Sequence, residues 1–257
     1  MENKNILGIV TVLVIIAGAV GYAALRPASV IAPGATTLPP GSYTEHAPYY
    51  DIAANYASST PLTGVANTAA VALMQKFVSD TITQFKTDGN FANITPADIK
   101  TMGFDTGRKE SLQITYLIGS SGRTVSYIFT VYEDTLGAHG NTFFHTFTFD
   151  TNPSTPSGQA GVPLALADLF TPGAPYLDEL SGIARAKLPG VIGQDADVTF
   201  INDGTTPDTK NFQTFFFDNA YLVFLFAPYQ VAPYSAGPQT LRIPIASLTS
   251  VLKPEYR

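Results

Sequence analysis

The sequence predicts an α+β fold: antiparallel β-sheet packed against two main helices, preceded by one N-terminal transmembrane helix. Three observations predict it. Residues 65–86 and 175–188 carry apolar side chains at helical spacing. From residue 111 the pattern changes to that of strands, at 111–118, 124–133 and 141–150, and again at the aromatic-rich and β-branched runs 212–217, 221–226 and 240–245. Residues 6–25, ILGIVTVLVIIAGAVGYAAL, hold no charge, and as a helix they span about 30 Å, the thickness of a bilayer's hydrocarbon core.

In chain order, residues 1–5 are expected to be a cytoplasmic stub and residues 6–25 a retained single-pass anchor. The bulk of the chain lies on the far side of that anchor, so the expected topology is N-terminus in, C-terminal domain outside. A cleaved signal peptide is the alternative, with Ala17, Ala19, Gly21 and Ala23 supplying small residues, and the remainder would then be secreted. Residues 26–43 are rich in Pro, Gly, Ala and Thr and read as an extended linker. Residues 49–56 read as a first strand. The helix at 65–86 places Val65, Ala66, Ala69, Ala70, Leu73, Met74, Phe77, Val78, Ile82 and Phe85 on one stripe and stops at Asp88-Gly89-Asn90. Thr95 caps a short helical turn opened by Pro96. Gly119-Ser120-Ser121-Gly122 reads as a hairpin turn and 134–140 as a longer loop. Residues 162–166 read as a short strand. The second helix carries Asp178 and Glu179 in its first turn and Arg185 and Lys187 in its last, and Pro189-Gly190 is expected to end it. Asp195, Asp197 and Asp203 read as an acidic surface loop, because Phe200 stands where a calcium loop needs glycine.

Composition narrows the function. The 257 residues are 45% hydrophobic and 13% charged, with 17 Phe, 13 Tyr, no Trp and no Cys. Thiol catalysis, disulfides and cysteine metal sites are thereby excluded. Net charge is −6, and residues 124–209 hold ten acids against Arg185 and Lys187. Such a field disfavours nucleic acid and favours cationic partners.

Residues 132–150 read YEDTLGAHGNTFFHTFTFD, followed by LALADLF at 164–170 and APYQVAPYSAG at 227–237, with Leu-Arg-Ile-Pro behind it. Together these resemble the extracytoplasmic domain pair of RsiV-type anti-sigma factors and PdaC-type peptidoglycan deacetylases. The resemblance implies an α+β fold, with a PdaC-like N-terminal subdomain at 44–136 and an RsiV-like C-terminal subdomain at 137–253. It implies a G-A-H-G turn (Gly137, Ala138, His139, Gly140), an Asp168-Leu169-Phe170 turn and a P-Y-x-V-A-x-Y loop containing Pro228, Tyr229, Pro233 and Tyr234. In the anti-sigma members the domain recognises lysozyme; in the deacetylases it accompanies a separate catalytic domain. The short stub leaves no sigma-factor partner expected, and the T-F-D-D-type deacetylase motif is missing.

The candidate binding residues are therefore Gly137, Ala138, His139, Gly140, Pro228, Tyr229, Pro233 and Tyr234. His139 reads either as a ligand contact or general base, or as a loop histidine bonded to backbone. The Tyr229–Tyr234 loop reads either as a binding edge or as rings packed over the sheet. No catalytic set, metal site or cofactor is expected. His46 reads as solvated, and His145, on a strand, lacks a positioned carboxylate for a zinc site. Glu133 and Asp134, adjacent on a strand, point to opposite faces. The expected function is a membrane-anchored envelope module binding lysozyme, peptidoglycan or another glycan. The alternatives are a cell-wall glycan hydrolase or deacetylase using His139, and a structural subunit of an envelope assembly.

Overall fold

A computed structural model describes Leu38, residues 41–152 and residues 161–257. The expected cytoplasmic stub, the membrane span and most of the linker lie outside the described residues. Among the described residues no helix is long and apolar enough to cross a membrane.

The fold is α+β, with two sheets and four α-helices among the described residues. The first sheet runs β1 (Ser42–His46), β2 (Tyr50–Asn55), β3 (Glu110–Ser121), β4 (Thr124–Asp134), β5 (Asn141–Asp150). Helix α1 (Gly64–Asp88) covers one face of it. The second sheet is β6 (Phe215–Asp218), β7 (Tyr221–Phe226), β8 (Gln239–Pro244). It shares a core with α3 (Tyr176–Ile192) and α4 (Val198–Gly204). A short helix, α2 (Pro96–Met102), lies between β2 and β3.

The pairing is antiparallel except between β2 and β3, which run parallel. This departs from the expected all-antiparallel sheet. Helix α1 returns the chain to the end from which β2 started, and a crossover of that kind joins parallel strands. Strand β1 was not expected: it follows directly on the prolines of the linker and begins in the linker's last two residues. It pairs with β2 from Ser42↔Asn55 to His46↔Asp51.

Helix α1 buries Ala66, Ala70, Met74, Val78, Ile82 and Phe85, a spacing of three or four residues. Met74, Val78 and Ile82 are fully buried, each contributing roughly 1.5–3 kcal/mol by leaving water. The predicted stripe was too broad, since Val65 is 85% exposed and Leu73 38%. Gly89 ends the helix as expected. Thr95 caps α2, accepting from the Asp98 N–H while the Asp98 carboxylate accepts from the Thr95 N–H.

Four further readings need correction. The β3–β4 turn is Gly122-Arg123, because the strand runs on through Gly119 to Ser121. Residues 162–166 form no strand: a single bond, Leu164 N–H to Thr148 O at 2.7 Å, links them to β5, and a 3-10 turn follows at Leu166–Leu169. Helix α3 passes through Pro189 to Ile192. Pro189 lies on the exposed side, while Leu188 is fully buried and Ile192 packs on the core, so burial of the last turn outweighs the lost backbone bond. Arg185 consequently serves α4 and not the helix end, donating to Asn202 O at 3.1 Å. The expected acidic loop contains α4, whose cap Asp197 accepts from Thr199 N–H at 2.7 Å.

Candidate functional site

Two loops far apart in sequence meet at one end of the fold. The first, residues 135–140, joins β4 to β5. Leu136 stands at φ 60, and its N–H donates to Asp134 Oδ1 at 2.9 Å. Gly140 is buried, and a Cβ there would lie 2.6 Å from Tyr132 Cε2, so only glycine lets the tyrosine ring approach.

The second loop, residues 227–237, joins β7 to β8. Val231 anchors it in the core of the second sheet, and Ala232 beside it is also almost fully buried. Gln230 clamps it from inside, donating to Asn211 O at 3.0 Å and Gly204 O at 3.4 Å. Gly237 N–H donates back to Tyr234 O, and Gln239 Nε2 to Ala236 O. Tyr229 adopts φ 69, a left-handed conformation that a bulky residue adopts only where surrounding structure enforces it.

His139 bridges the loops. Its ring stacks on Tyr234, with centroids 3.7 Å apart and planes 20° apart, and Tyr229 lies 5.5 Å from Tyr234. Its Nδ1 is 3.1 Å from the Gly140 carbonyl, and its Nε2 is 3.3 Å from the Tyr229 hydroxyl. A carbonyl only accepts, so Nδ1 carries the proton; in the neutral ring the Tyr229 hydroxyl then donates to Nε2. The Tyr234 hydroxyl donates to the same Gly140 carbonyl at 2.7 Å. Among the described residues, no carboxylate hydrogen-bonds to His139.

The structure thus brings together His139, Gly140, Tyr229 and Tyr234. Gly137, Ala138 and His139 are exposed on the turn; Pro228 and Pro233 are half-buried beside the tyrosines. Sequence reasoning missed Gln230 and Tyr132 as supports, and no local signal marks either. The Asp168-Leu169-Phe170 turn is elsewhere engaged. Asp168 accepts from the Ala165 N–H at 2.8 Å, and Phe170 bridges Leu252. Lys253 donates its N–H to Leu169 O and its ammonium to Asp168 O.

The other histidines lie apart from this cluster. His145 on β5 stacks on Phe77 at 4.5 Å and meets the edge of Phe147 at 4.6 Å. Burial among these rings pushes its pKa down to about 4, so it is neutral at ordinary pH. His46 is exposed, with Nδ1 2.8 Å from Asp51 Oδ1. Among the described residues, no group of three or more His, Cys, Asp or Glu side chains could hold a metal ion.

Residues 167–246 match the model of a protein family of unknown function, DUF3298. Over 152 residues, 59% of this chain, the sequence is 33% identical to peptidoglycan-N-acetylmuramic acid deacetylase PdaC of Bacillus subtilis (strain 168). The chain covers 31% of that relative's length. Two solved DUF3298 family structures share the fold. One, from Pseudomonas aeruginosa PAO1, gives a TM-score of 0.50 at 16% identity, covering 86% of this chain and 97% of that one. The other, from Bacteroides fragilis NCTC 9343, gives 0.53 at 15%, covering 83% and 92%. The chain therefore resembles PdaC-type proteins, and its second half carries a match to the DUF3298 family of unknown function.

Proposed function

We propose that this chain is a membrane-anchored, extracytoplasmic ligand-binding module of the bacterial cell envelope, and that its ligand is cell-wall glycan or a lysozyme. One observation carries the reading: two loops 90 residues apart close into an aromatic cluster, His139–Tyr229–Tyr234, with an exposed histidine. The loops are held by buried anchors and glycine contacts, so the rings are preorganised. Stacked rings offer flat apolar area at little entropic cost, which suits a sugar face or a protein surface. The similarity to a peptidoglycan deacetylase directs attention to the cell wall. Ten acids among residues 124–209 suit a cationic partner such as a lysozyme. A hydrolytic role for His139 is not proposed, because among the described residues its ring partners are a carbonyl and a tyrosine hydroxyl, with no carboxylate beside them.

The test uses the full chain in detergent, measured against insoluble peptidoglycan by co-sedimentation and against lysozyme by titration calorimetry. His139→Ala and Tyr229→Ala are each expected to weaken binding about tenfold or more, the size of an aromatic hot-spot loss. Saturable binding to neither ligand, or binding indifferent to both substitutions, overturns the reading.

A further inference from the structure

Away from the aromatic cluster, the face of the first sheet covered by α1 ends in two acids. Alternation along β3 puts Glu110 in line with Leu112 and Ile114, and along β4 it puts Glu133 in line with Val131 and Phe129. The register pairs Leu112 with Glu133 and Tyr50 with Glu110, so both carboxyls sit at the same end of that face. Glu110 is only 6% exposed. Among the described residues neither carboxyl has a hydrogen-bond or ion-pair partner.

The surroundings make ionisation harder. Asp88, the last residue of α1, acts on Glu133, and Asp134 acts on Glu110. The negative end of the α1 dipole lies on the same side. The basic residues adjacent in sequence are occupied: Lys86 pairs with Glu45 and stands over the Tyr43 and Tyr50 rings, and Lys109 pairs with Asp51. A carboxylate buried without a partner is costly, and a proton removes the cost.

We infer that Glu110 and Glu133 form a proton-binding pair that closes the C-terminal turn of α1 over the end of β4 when protonated and loosens it when ionised. Burial first, then Asp88 and Glu110, push the Glu133 carboxyl from 4.5 up to about 7, and Glu110 is raised as well. The folded chain therefore binds protons more tightly than the unfolded chain. Stability from Glu133 is fullest below about 4.5 and declines as pH rises through about 7, and Glu110 acts in the same direction. His145 works the other way: its ring is held down to about 4 from 6.5, so its contribution is lost as pH falls across that range. The pair is accordingly read from differences between variants at each pH.

The experiment measures thermal unfolding of the full chain from pH 5 to 8.5 for the wild type and Glu133→Gln, with amide exchange compared at matched pH. At pH 8 the substitution is expected to raise Tm by about 3–6 °C, and at pH 5 the two midpoints are expected to agree within about a degree. Exchange over residues 85–89 and 132–136 is expected to slow in Glu133→Gln at pH 8 alone. Carbon-13 titration of the Glu133 carboxyl in the wild type needs no variant and is expected near neutrality. A Tm gap that does not grow with pH, or a Glu133 carboxyl titrating in the ordinary carboxylate range, overturns the inference. Neither readout involves ligand, so its failure is distinct from failure of the binding role.

Discussion

Replacing Gly204 with alanine tests how the second loop is held. Gly204 is the last residue of α4, and it is buried beneath the Tyr229–Tyr234 loop. A Cβ there would overlap the Gln230 carbonyl oxygen, lie 2.7 Å from the Gln230 carbonyl carbon and 2.9 Å from Val231 Cγ1. Ordinary contacts of this kind sit at about 3.5–4.0 Å, so the loop must withdraw by roughly 1 Å. The obstacle is main chain, which cannot rotate away as a side-chain tip can. Withdrawal also stretches the Gln230 bonds to Gly204 O and Asn211 O and lifts Val231 from its fully buried seat. Overpacking with strained internal bonds is expected to cost about 2–3 kcal/mol, a Tm loss of roughly 5–10 °C for a domain of this size. Gly182→Ala is the control, since an added Cβ there meets nothing within 4 Å on a helix. It is expected to stabilise by up to about 1 kcal/mol. Thermal unfolding measures both, and the aromatic proton shifts of Tyr229 and Tyr234 report whether the His139 stack moves. A Gly204→Ala protein as stable as wild type with unchanged ring shifts would refute the claim that α4 positions the loop.

Two further substitutions probe the contacts that fix the site and the C-terminal segment. Tyr234→Phe keeps the ring stack on His139 but removes the 2.7 Å bond to Gly140 O; a loss of about 1 kcal/mol is expected in urea unfolding, with Tyr234→Ala costing clearly more. Arg123→Ala strips the guanidinium from Asp150, whose side chain is 4% exposed and also accepts from the Tyr256 hydroxyl and the Asn152 N–H. A loss of about 3–5 kcal/mol is expected, and adding Asp150→Asn should recover part of it.

How much of this was legible in the sequence depended on whether a residue's neighbours were local. Helix α1 and strand β5 were readable because their own periodicity decides which face is buried. The run of α3 past Pro189 was not, because it turns on Leu188 and Ile192 finding a core assembled from β8 and its neighbours. Strand β1 needs β2 to exist at all, and two prolines and a glycine before it masked the alternation. At the site, each loop stood out by its residues. Their meeting did not, since the His139–Tyr229 bond spans 90 residues. Nor does any sequence signal place a tyrosine at φ 69.

The least legible feature is also the one that sets the site's geometry. Along β4 and β5 the hydroxyl residues Ser126, Thr146 and Thr148 alternate with the aromatics, a pattern that ordinarily marks a solvent-facing side. Here that side lies beneath β6, and Ser126 and Thr148 are essentially fully buried. Strand β6 pairs with β7 on one edge, which leaves main-chain groups on its other edge in need of partners. The hydroxyls supply them: Phe215 N–H donates to Thr146 Oγ1 at 3.2 Å, Phe217 N–H to Ser126 Oγ at 3.4 Å, and Thr148 Oγ1 donates to Phe215 O at 3.3 Å. Side chains thus stand in for a neighbouring strand, and the second sheet is seated on the first at a fixed offset. Gly119 completes the seat, since a Cβ there would come within 2.8 Å of Phe217 O. That offset is what brings the β7–β8 loop to the β4–β5 turn. The aromatic cluster therefore belongs to neither sheet alone, and its geometry depends on a row of hydroxyls that touches no part of it.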